Sequence, residues 1–289
     1  MQILDELING LLDENKLLRK QLRMPEDEAT KKQLFYSLCT IRKPGYSIQV
    51  NENWLVMQDE FLAQELQWKG GAVDVTQLPS VKEQFKIPVK PMYLQKKMDK
   101  NAPFQLYHSD KIYLYQGDIT RLSADAIVNA ANAELIGCFT PGHKCIDNVI
   151  HAAAGIQLRQ ECYAIRQAQG YPEPNGFAKI TKAYNLPCKH VIHTVGPVIY
   201  DIVTEQDETE LRSCYDACLS IAEEHKLESI AFCCIATGEF HYPKEEAAKV
   251  AIQAVDEFLD TAVHLKQVIF DVYTAQDYAV YEQQLKQCR

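Results

Sequence analysis

The stretch GCFTPGHKCIDNVIHAAAG, residues 137–155, joins a loop with glycine and proline to an alanine-rich segment with a helical pattern. The loop carries Cys138, His143 and Cys145 within eight positions. Three interpretations are open: a metal site, an anion-binding loop at the start of a helix, or an ordinary loop that carries two thiols. The choice between them determines most of what the chain can do.

Cys138, His143 and Cys145 form the pattern C-x4-H-x-C, and the Gly and Pro residues between them bend the chain. Two thiolates and one imidazole are a donor set that suits Zn²⁺. No fourth Cys or His lies nearby in the loop, because His151 falls on the helical segment that follows. Structural zinc sites usually have four protein ligands, whereas catalytic sites keep one position open. If zinc binds here, the pattern favours the open kind of site.

Composition and charge narrow the class of protein. The 289 residues, 47% hydrophobic and 24% charged, are typical of a soluble globular chain of one large or two smaller domains. No apolar run is long enough to span a bilayer. The formal net charge of −9 argues against a partner held mainly by phosphate attraction, although backbone N–H groups can still hold a small anion. We therefore expect neither a membrane nor a nucleic-acid partner.

The first residues, MQILDELINGLLDENKLL, are acidic and amphipathic and lack the basic segment and cleavage site of a secretion signal. We therefore expect a cytoplasmic protein. In that compartment its ten cysteines should be thiols rather than disulfides. Cys233 and Cys234 in an apolar run, and Cys214 and Cys218 at helical spacing, are interpreted as small core residues.

Residues 1–100 predict a mainly helical N-terminal extension. Apolar residues recur at helical spacing over residues 3–22 before Pro25, and residues 52–68 have further helical character. Residues 86–103, rich in Pro and Lys, indicate a connection. The extension serves either to dock a partner or to complete the core, and the sequence does not separate these roles.

Residues 101–289 alternate between strand-like and helical patterns, which predicts a sheet with helices on both faces, largely parallel in its later half. The strand-like runs are IYLYQGDI, DAIVNAA, AKITKAYN, HVIHTVG, SIAFCCIA and QVIFDVY. The helical patterns cover residues 147–168, 207–225, 244–262 and 275–287. In open sheets of this class, ligands bind at the carboxyl ends of the strands.

Polar residues follow several of these strands. Asp118 ends the first strand and is suited to accept a hydrogen bond from the amino group of a base, or else to cap a turn. Asn129 and Asn132 end the second, where side-chain amides suit sugar hydroxyls. The fifth strand runs into ATGEFHYP, residues 236–243, and then a helix, which is the arrangement of a phosphate-binding loop.

The motifs GDIT, NAAN, IHAAAG and ATGEFHYP, in this order and spacing, resemble the macrodomain family over roughly residues 105–289. The resemblance implies a three-layer α/β/α fold with a mixed, mostly parallel sheet that binds ADP-ribose. Where many macrodomains have a run of glycines before the IHxAAG helix, this chain has GCFTPGHKCIDNVIH. This insertion and the N-terminal extension resemble the zinc-containing microbial macrodomains that act as protein-ADP-ribose hydrolases.

The resemblance assigns roles to individual residues. It makes Asp118 and Ile119 the adenine contacts, Asn132 the residue at the distal ribose, and Asp147 the acidic residue that acts on that ribose. The remaining assignments are zinc ligands at Cys138, His143 and Cys145, a diphosphate loop at Thr237, Gly238, Glu239 and Phe240, and adenine stacking at Tyr273. Together with the helix start, they make the 137–155 stretch both an anion-binding loop and a site for one Zn²⁺.

The resulting hypothesis is a hydrolase that removes ADP-ribose from a modified protein, on acidic side chains. Asp147 would orient the attacking water or act as general base, Asn132 would fix the ribose, and zinc would polarise a ribose oxygen or bind that water. The alternative is a non-catalytic reader of ADP-ribose marks with a structural zinc. The resemblance also implies that a sirtuin-like ADP-ribosyltransferase acts on the same target.

Overall fold

The structure, a computed structural model, describes residues 2–44, 52–89 and 104–288. Six strands form one sheet in the order β1-β6-β5-β2-β4-β3. All neighbours are parallel except β3 and β4, so the predicted mixed, mostly parallel sheet is confirmed. The strands are β1 Ile112–Gln116, β2 Ala126–Ala130, β3 Ala178–Lys182, β4 His190–Thr194, β5 Ser229–Phe232 and β6 Gln267–Val272.

Helices cover both faces of this sheet, as a three-layer α/β/α fold requires. They are α6 Ile146–Ala154, α7 Ile156–Gln169, α8 Glu205–Glu224, α9 Lys244–Leu259 and α10 Ala275–Gln287. On one face, the Phe232 ring contacts Tyr215 of α8, and the Phe270 ring contacts Tyr281 of α10. On the opposite face, His193 of β4 contacts α7. Side chains alternate along a strand, so Phe232 and Phe270 lie on one face and Asn129 and His193 on the other.

The helix predicted over residues 147–168 is two helices. Gly155 separates α6 from α7 and has a φ of +92°, a conformation that L side chains rarely adopt. A Cβ atom there would lie 2.6 Å from Nε2 of Gln58. Helical periodicity continues across the break because both helices bury one face, which is why the pattern alone did not show it.

The cysteines behave largely as predicted. All ten are free thiols. Cys214, Cys218 and Cys233 are buried, whereas Cys234 is half-buried. The strand expected to run through SIAFCCIA ends at Phe232, so both cysteines of that pair lie just beyond β5.

The N-terminal helices are α1 Gln2–Glu14, α2 Lys16–Gln21, α3 Glu28–Ile41, α4 Glu52–Trp68 and α5 Val81–Phe85. Helices α1, α3 and α4 bury a second apolar core around Leu7, Phe35 and Trp54. Ile156 of α7 belongs to the same core, so the helices pack directly against the sheet domain. Among the described residues, no helix is both long and apolar enough to cross a membrane.

The predicted domain boundary at residue 100 stays a prediction. Residues that precede it pack into the core of the sheet domain. Val75, Val81 and Ile87 are buried in the core of the sheet domain, and Val73 forms a β-bridge with Leu122. The structural break therefore falls near residue 70, after α4. Of the predicted connection, residues 90–103 lie outside the described part of the chain.

Candidate active site

The motifs that follow strands β1, β2 and β5 meet at one edge of the sheet, because the carboxyl ends of parallel strands share that edge. The start of α6 lies at the same edge, since the cysteine-containing loop connects it to β2. This edge holds nearly all the residues that the sequence singled out.

Asp118 caps a short 3-10 helix, Ile119–Arg121, directly after β1. Its carboxylate accepts hydrogen bonds from the backbone N–H (3.0 Å) and hydroxyl (2.6 Å) of Thr120. Lys69, the residue after α4, donates to the other oxygen at 2.9 Å. Burial opposes ionisation of Asp118, but these bonds outweigh it and lower its pKa below the ordinary value. Asp118 is thus both the predicted turn cap and an ionised acceptor at the edge.

Ile119 and Tyr273, the other two residues expected to contact a base, differ in exposure. Ile119 is buried, so its side chain belongs to the core and only its backbone is available to a ligand. Tyr273 follows β6 and is 77% exposed, with its carbonyl close to the Gln116 side chain. An exposed ring at this position is free to stack on a flat ligand.

Asp147 lies in the first turn of α6 and is only 5% exposed. Its Oδ1 accepts a hydrogen bond from Nδ2 of Asn129 at 2.8 Å, and its Oδ2 a longer one from Nδ2 of Asn132 at 3.4 Å. Asn132 also donates to the carbonyl of Gly137 at 3.1 Å. The three predicted residues therefore form one cluster around a single carboxylate.

Burial raises the pKa of Asp147 to about 6, against the opposing effects of Asn129 and the Arg159 guanidinium. A carboxylate with a pKa near neutrality is suited to take up and release a proton at physiological pH. Its Oδ2, which has the longer hydrogen bond, is the less tightly held of the two oxygens.

Asn129 differs from its predicted role as a substrate contact. It is fully buried and holds Asp147 from below, while the same Nδ2 lies 3.1 Å from Nδ1 of His193. The Nε2 of His193 is 3.0 Å from the Thr181 hydroxyl. Burial lowers the pKa of His193 to about 3, so the ring is neutral. A donor at Nδ1 places the ring proton on Nε2, which makes His193 a neutral support for Asn129.

A second group of potential metal ligands lies behind Asp147. Atoms of His151, Cys162 and His193 lie within 4.8 Å of one another, and all three residues are buried. Both ring nitrogens of His193 have hydrogen-bonding neighbours, as described above, and burial holds the pKa of His151 well below its usual range. His193 is therefore part of a neutral polar network, whereas among the described residues neither ring nitrogen of His151 has a hydrogen-bond partner and its Nε2 lies 3.5 Å from Oδ1 of Asp147.

The predicted metal ligands converge. Ligand atoms of Cys138, His143 and Cys145 lie within 4.8 Å of one another, and all three residues are half-buried. The Cys138 sulfur is 3.5 Å from Nδ1 of His143. Burial opposes ionisation of Cys138, but hydrogen bonds from Thr140 and His143 lower the pKa of that thiol. A soft donor set of this composition, gathered in one loop with solvent access, fits Zn²⁺.

The other two groups of this trio have raised pKa values. Burial, together with the charges of Cys138 and Asp147, raises the pKa of Cys145 to about 11. Hydrogen bonds to Cys138 and to Glu239 raise the pKa of His143. The thiolate of Cys138 thus makes it harder for Cys145 and His143 to lose their protons. A bound cation would favour the deprotonated forms of all three groups.

The loop after β5 has the backbone geometry of an anion site. Ala236 and His241 have positive φ values of 62° and 57°, which tighten the loop. In the described part of the chain, the N–H groups of Gly238, Glu239 and Phe240 donate to no protein acceptor. A Cβ atom at Gly238 would meet nothing within 4 Å, so the backbone is open there. Donors without acceptors at the start of α9 suit a diphosphate.

One predicted member of this loop, Glu239, contacts the cysteine-containing loop. Oε1 of Glu239 lies 3.1 Å from Nε2 of His143. The carbonyl of Phe240 accepts a hydrogen bond from the backbone N–H of Ile199, and the Thr237 hydroxyl donates to the carbonyl of Cys234. The backbone of the candidate diphosphate loop is thus held by Ile199 and by a bond within its own turn.

Comparisons with known proteins agree with this geometry. A family model described as Macro domain matches residues 128–251. The protein-ADP-ribose hydrolase of Treponema medium is 39% identical over 275 residues, which cover 95% of this chain and 95% of that protein. The chain belongs to the macrodomain family. The extent of this match means that the alignment with this relative includes most of the N-terminal region as well.

Solved macrodomain structures are similar in fold to this chain. A mutant of the Oceanobacillus iheyensis macrodomain with ADPR is 35% identical, with a TM-score of 0.56 over 61% of this chain and 91% of that one. The Trypanosoma brucei macrodomain in complex with ADP-ribose is 27% identical, with a TM-score of 0.59 over 84% and 96%. These likenesses confirm the three-layer macrodomain fold that the sequence predicted.

Three residues of the macrodomain's site were not found from the sequence. Lys69 and His193 gave no signal, since one follows a helix in another part of the chain and the other lies in an apolar strand. Arg159 did give a sequence signal, because it falls on the face of α7 that buries Leu158 and Cys162, where a charge needs a partner.

Proposed function

We propose that this macrodomain is a protein-ADP-ribose hydrolase that binds ADP-ribose and removes it from a modified protein. The observation that carries the proposal is the Asp147 carboxylate, held by Asn129 and Asn132 next to the cluster of Cys138, His143 and Cys145. The name of the Treponema medium relative, and the ADP-ribose in the Trypanosoma brucei structure, support the same substrate.

The proposed binding residues fall into two groups, one for the adenine and one for the diphosphate. Asp118 and the backbone of Ile119 would take the adenine, with the exposed ring of Tyr273 stacked on it. The N–H groups of Gly238 and Glu239 would hold the diphosphate together with the start of α6. This arrangement uses backbone donors, which explains how a chain with net charge −9 can bind an anion.

Hydrolysis consumes one water and breaks the bond between the distal ribose and the protein side chain, releasing ADP-ribose and the unmodified side chain. Asn132 would hold a ribose hydroxyl, since its amide lies next to Asp147. Asp147 would orient the water and accept its proton at Oδ2, because Asn129 occupies Oδ1 more closely.

Cys138, His143 and Cys145 would hold one Zn²⁺ in the same loop. A zinc ion with an open position polarises an oxygen or lowers the pKa of a bound water. Among the described residues the cluster offers three protein ligands rather than four, which supports a site that keeps such a position. We expect ester-linked ADP-ribose on Asp or Glu as substrate, a sirtuin-like transferase as its source, and a cytoplasmic location.

The test is release of ADP-ribose from a protein modified on Asp or Glu, measured with and without a zinc chelator. The wild-type protein should release the mark, chelation should slow release, and Asp147→Ala should bind free ADP-ribose yet release roughly 10²–10⁴-fold more slowly. A zinc-containing wild-type protein that binds the modified protein and never releases ADP-ribose would instead be a reader of the mark. In that case the hydrolase proposal fails and the binding proposal stands.

A further inference from the structure

The cysteine-containing loop is held from beneath by Arg159 of α7. This side chain is only 6% exposed. Its Nη2 donates to the carbonyl of Cys138 at 3.1 Å, and its Nη1 donates to the carbonyl of Thr40. The guanidinium also lies 4.5 Å from the centre of the Phe139 ring. One buried cation thus ties the start of the loop to the N-terminal helices.

Asn148 of α6 holds the same loop from the other side and is 7% exposed. Its Nδ2 donates to the carbonyls of Thr140 at 3.2 Å and His143 at 2.9 Å. Its Oδ1 lies 3.4 Å from the hydroxyl of Thr40, which also donates to the carbonyl of Tyr36 at 2.8 Å. This amide therefore holds the loop at two positions after Phe139.

Taken together, these contacts hold the backbone carbonyls of two of the three candidate metal ligands, Cys138 and His143. They also converge on one residue outside the sheet domain, Thr40, in the last turn of α3. Burial lowers the pKa of Arg159, which means that its charge is costly to keep there without partners. Gly137 leaves little room beside it, since a Cβ atom there would lie 3.0 Å from Nη2 of Arg159.

We propose that Arg159 and Asn148 are positioning residues that hold Cys138, His143 and Cys145 in ligand geometry, and that α3 anchors both through Thr40. This gives the N-terminal helices a direct part in the site. The role toward zinc rests on the proposed function, whereas the ordering of the loop does not. Groups that orient metal ligands from behind typically change metal affinity by roughly 10–100-fold when removed.

The test uses Arg159→Lys, which keeps the charge but not the two-pronged donation, Asn148→Ala, and Thr40→Val, which keeps the shape but not the hydroxyl. Arg212→Lys is the matched control, because Arg212 pairs with Glu257 on the opposite face of the sheet. Two measurements are made on the full chain. One is hydrogen exchange of the amides of residues 138–146 in metal-free protein, and the other is the rate of zinc release to a chelator.

Arg159→Lys and Asn148→Ala should speed exchange of these amides by about tenfold, and zinc release by at least as much. Thr40→Val should act in the same direction with a smaller effect. Exchange of residues 234–242 and of the control should match wild type.

Loop exchange and zinc release equal to wild type, or faster exchange spread evenly over the whole chain, would overturn the proposal. A wild-type protein without zinc would overturn the metal part of the proposed function, and the exchange measurement would still decide whether Arg159 and Asn148 hold the loop.

Discussion

Replacing Asp147 with Asn should stabilise the metal-free protein while abolishing most of its activity. Burial raises the pKa of Asp147 from 3.8 to about 6, so the folded state pays a free-energy cost to ionise this group. At 1.36 kcal/mol per pKa unit, the cost is roughly 3 kcal/mol once both states are ionised. An amide removes the charge but presents a donor to Asn129 or Asn132, and we therefore expect a net gain of about 1–2 kcal/mol at pH 7.5.

The pH dependence identifies the cause. Between pH 3.8 and about 6 the folded protein keeps the proton of Asp147 and the unfolded chain does not, so the wild-type protein loses stability as the pH rises through this range. The advantage of Asp147→Asn should accordingly be full at pH 7.5 and nearly absent at pH 4. Urea unfolding of both proteins, stripped of metal with a chelator, measures it. An Asp147→Asn variant that is no more stable than wild type at pH 7.5, or equally more stable at both pH values, would refute the reasoning.

Further predictions concern metal, ligand and core. Purified protein should carry about one zinc per chain by elemental analysis, and Cys145→Ala should carry none while keeping the wild-type far-UV circular dichroism spectrum. Asp118→Ala should weaken ADP-ribose binding by roughly 1–3 kcal/mol in calorimetry, because it removes the acceptor for the base. His193 binds a proton in the unfolded chain below about pH 6.5 but not in the folded protein until about pH 3. Wild-type stability should thus fall relative to His193→Gln by about 1.4 kcal/mol per pH unit below pH 6.5, measured by urea unfolding.

The sheet and its flanking helices could be predicted from the sequence because each strand is a short apolar run bounded by turn residues. The last helix was placed at residues 275–287 and begins at Ala275, where Thr274 caps it. The strand β3 was located, and its antiparallel direction follows from the connection between Lys182 and His190, which is too short for a parallel crossover. The break at Gly155 was missed because helical periodicity continues across it, and Gln58, which accepts a hydrogen bond from the N–H of Ile156, lies in a distant part of the chain.

The site could be predicted where one motif supplies both the residue and its surroundings. Cys138, His143 and Cys145 lie in one loop, and the structure brings their ligand atoms together. Contacts from distant parts of the chain could not be predicted. The partner of Asp118 is Lys69, 49 positions away, and Asn129 faces inward because the pleat of β2 directs it under Asp147.

One face of the sheet stabilises the fold, and the other carries the charged groups of the candidate site. On the face of α8 and α10, Phe232 and Phe270 pack against aromatic rings, which favours folding. On the face of α6 and α7, burial makes the charges of Asp147 and Arg159 costly, as their displaced pKa values indicate. A fold retains such groups when the surrounding structure stabilises the site enough to hold them. A ligand that pairs with these groups binds only the folded state, so zinc or ADP-ribose should raise the unfolding temperature. Substitutions of Asp147 or Arg159 should reduce this increase, whereas substitutions of Phe232 or Phe270 should not.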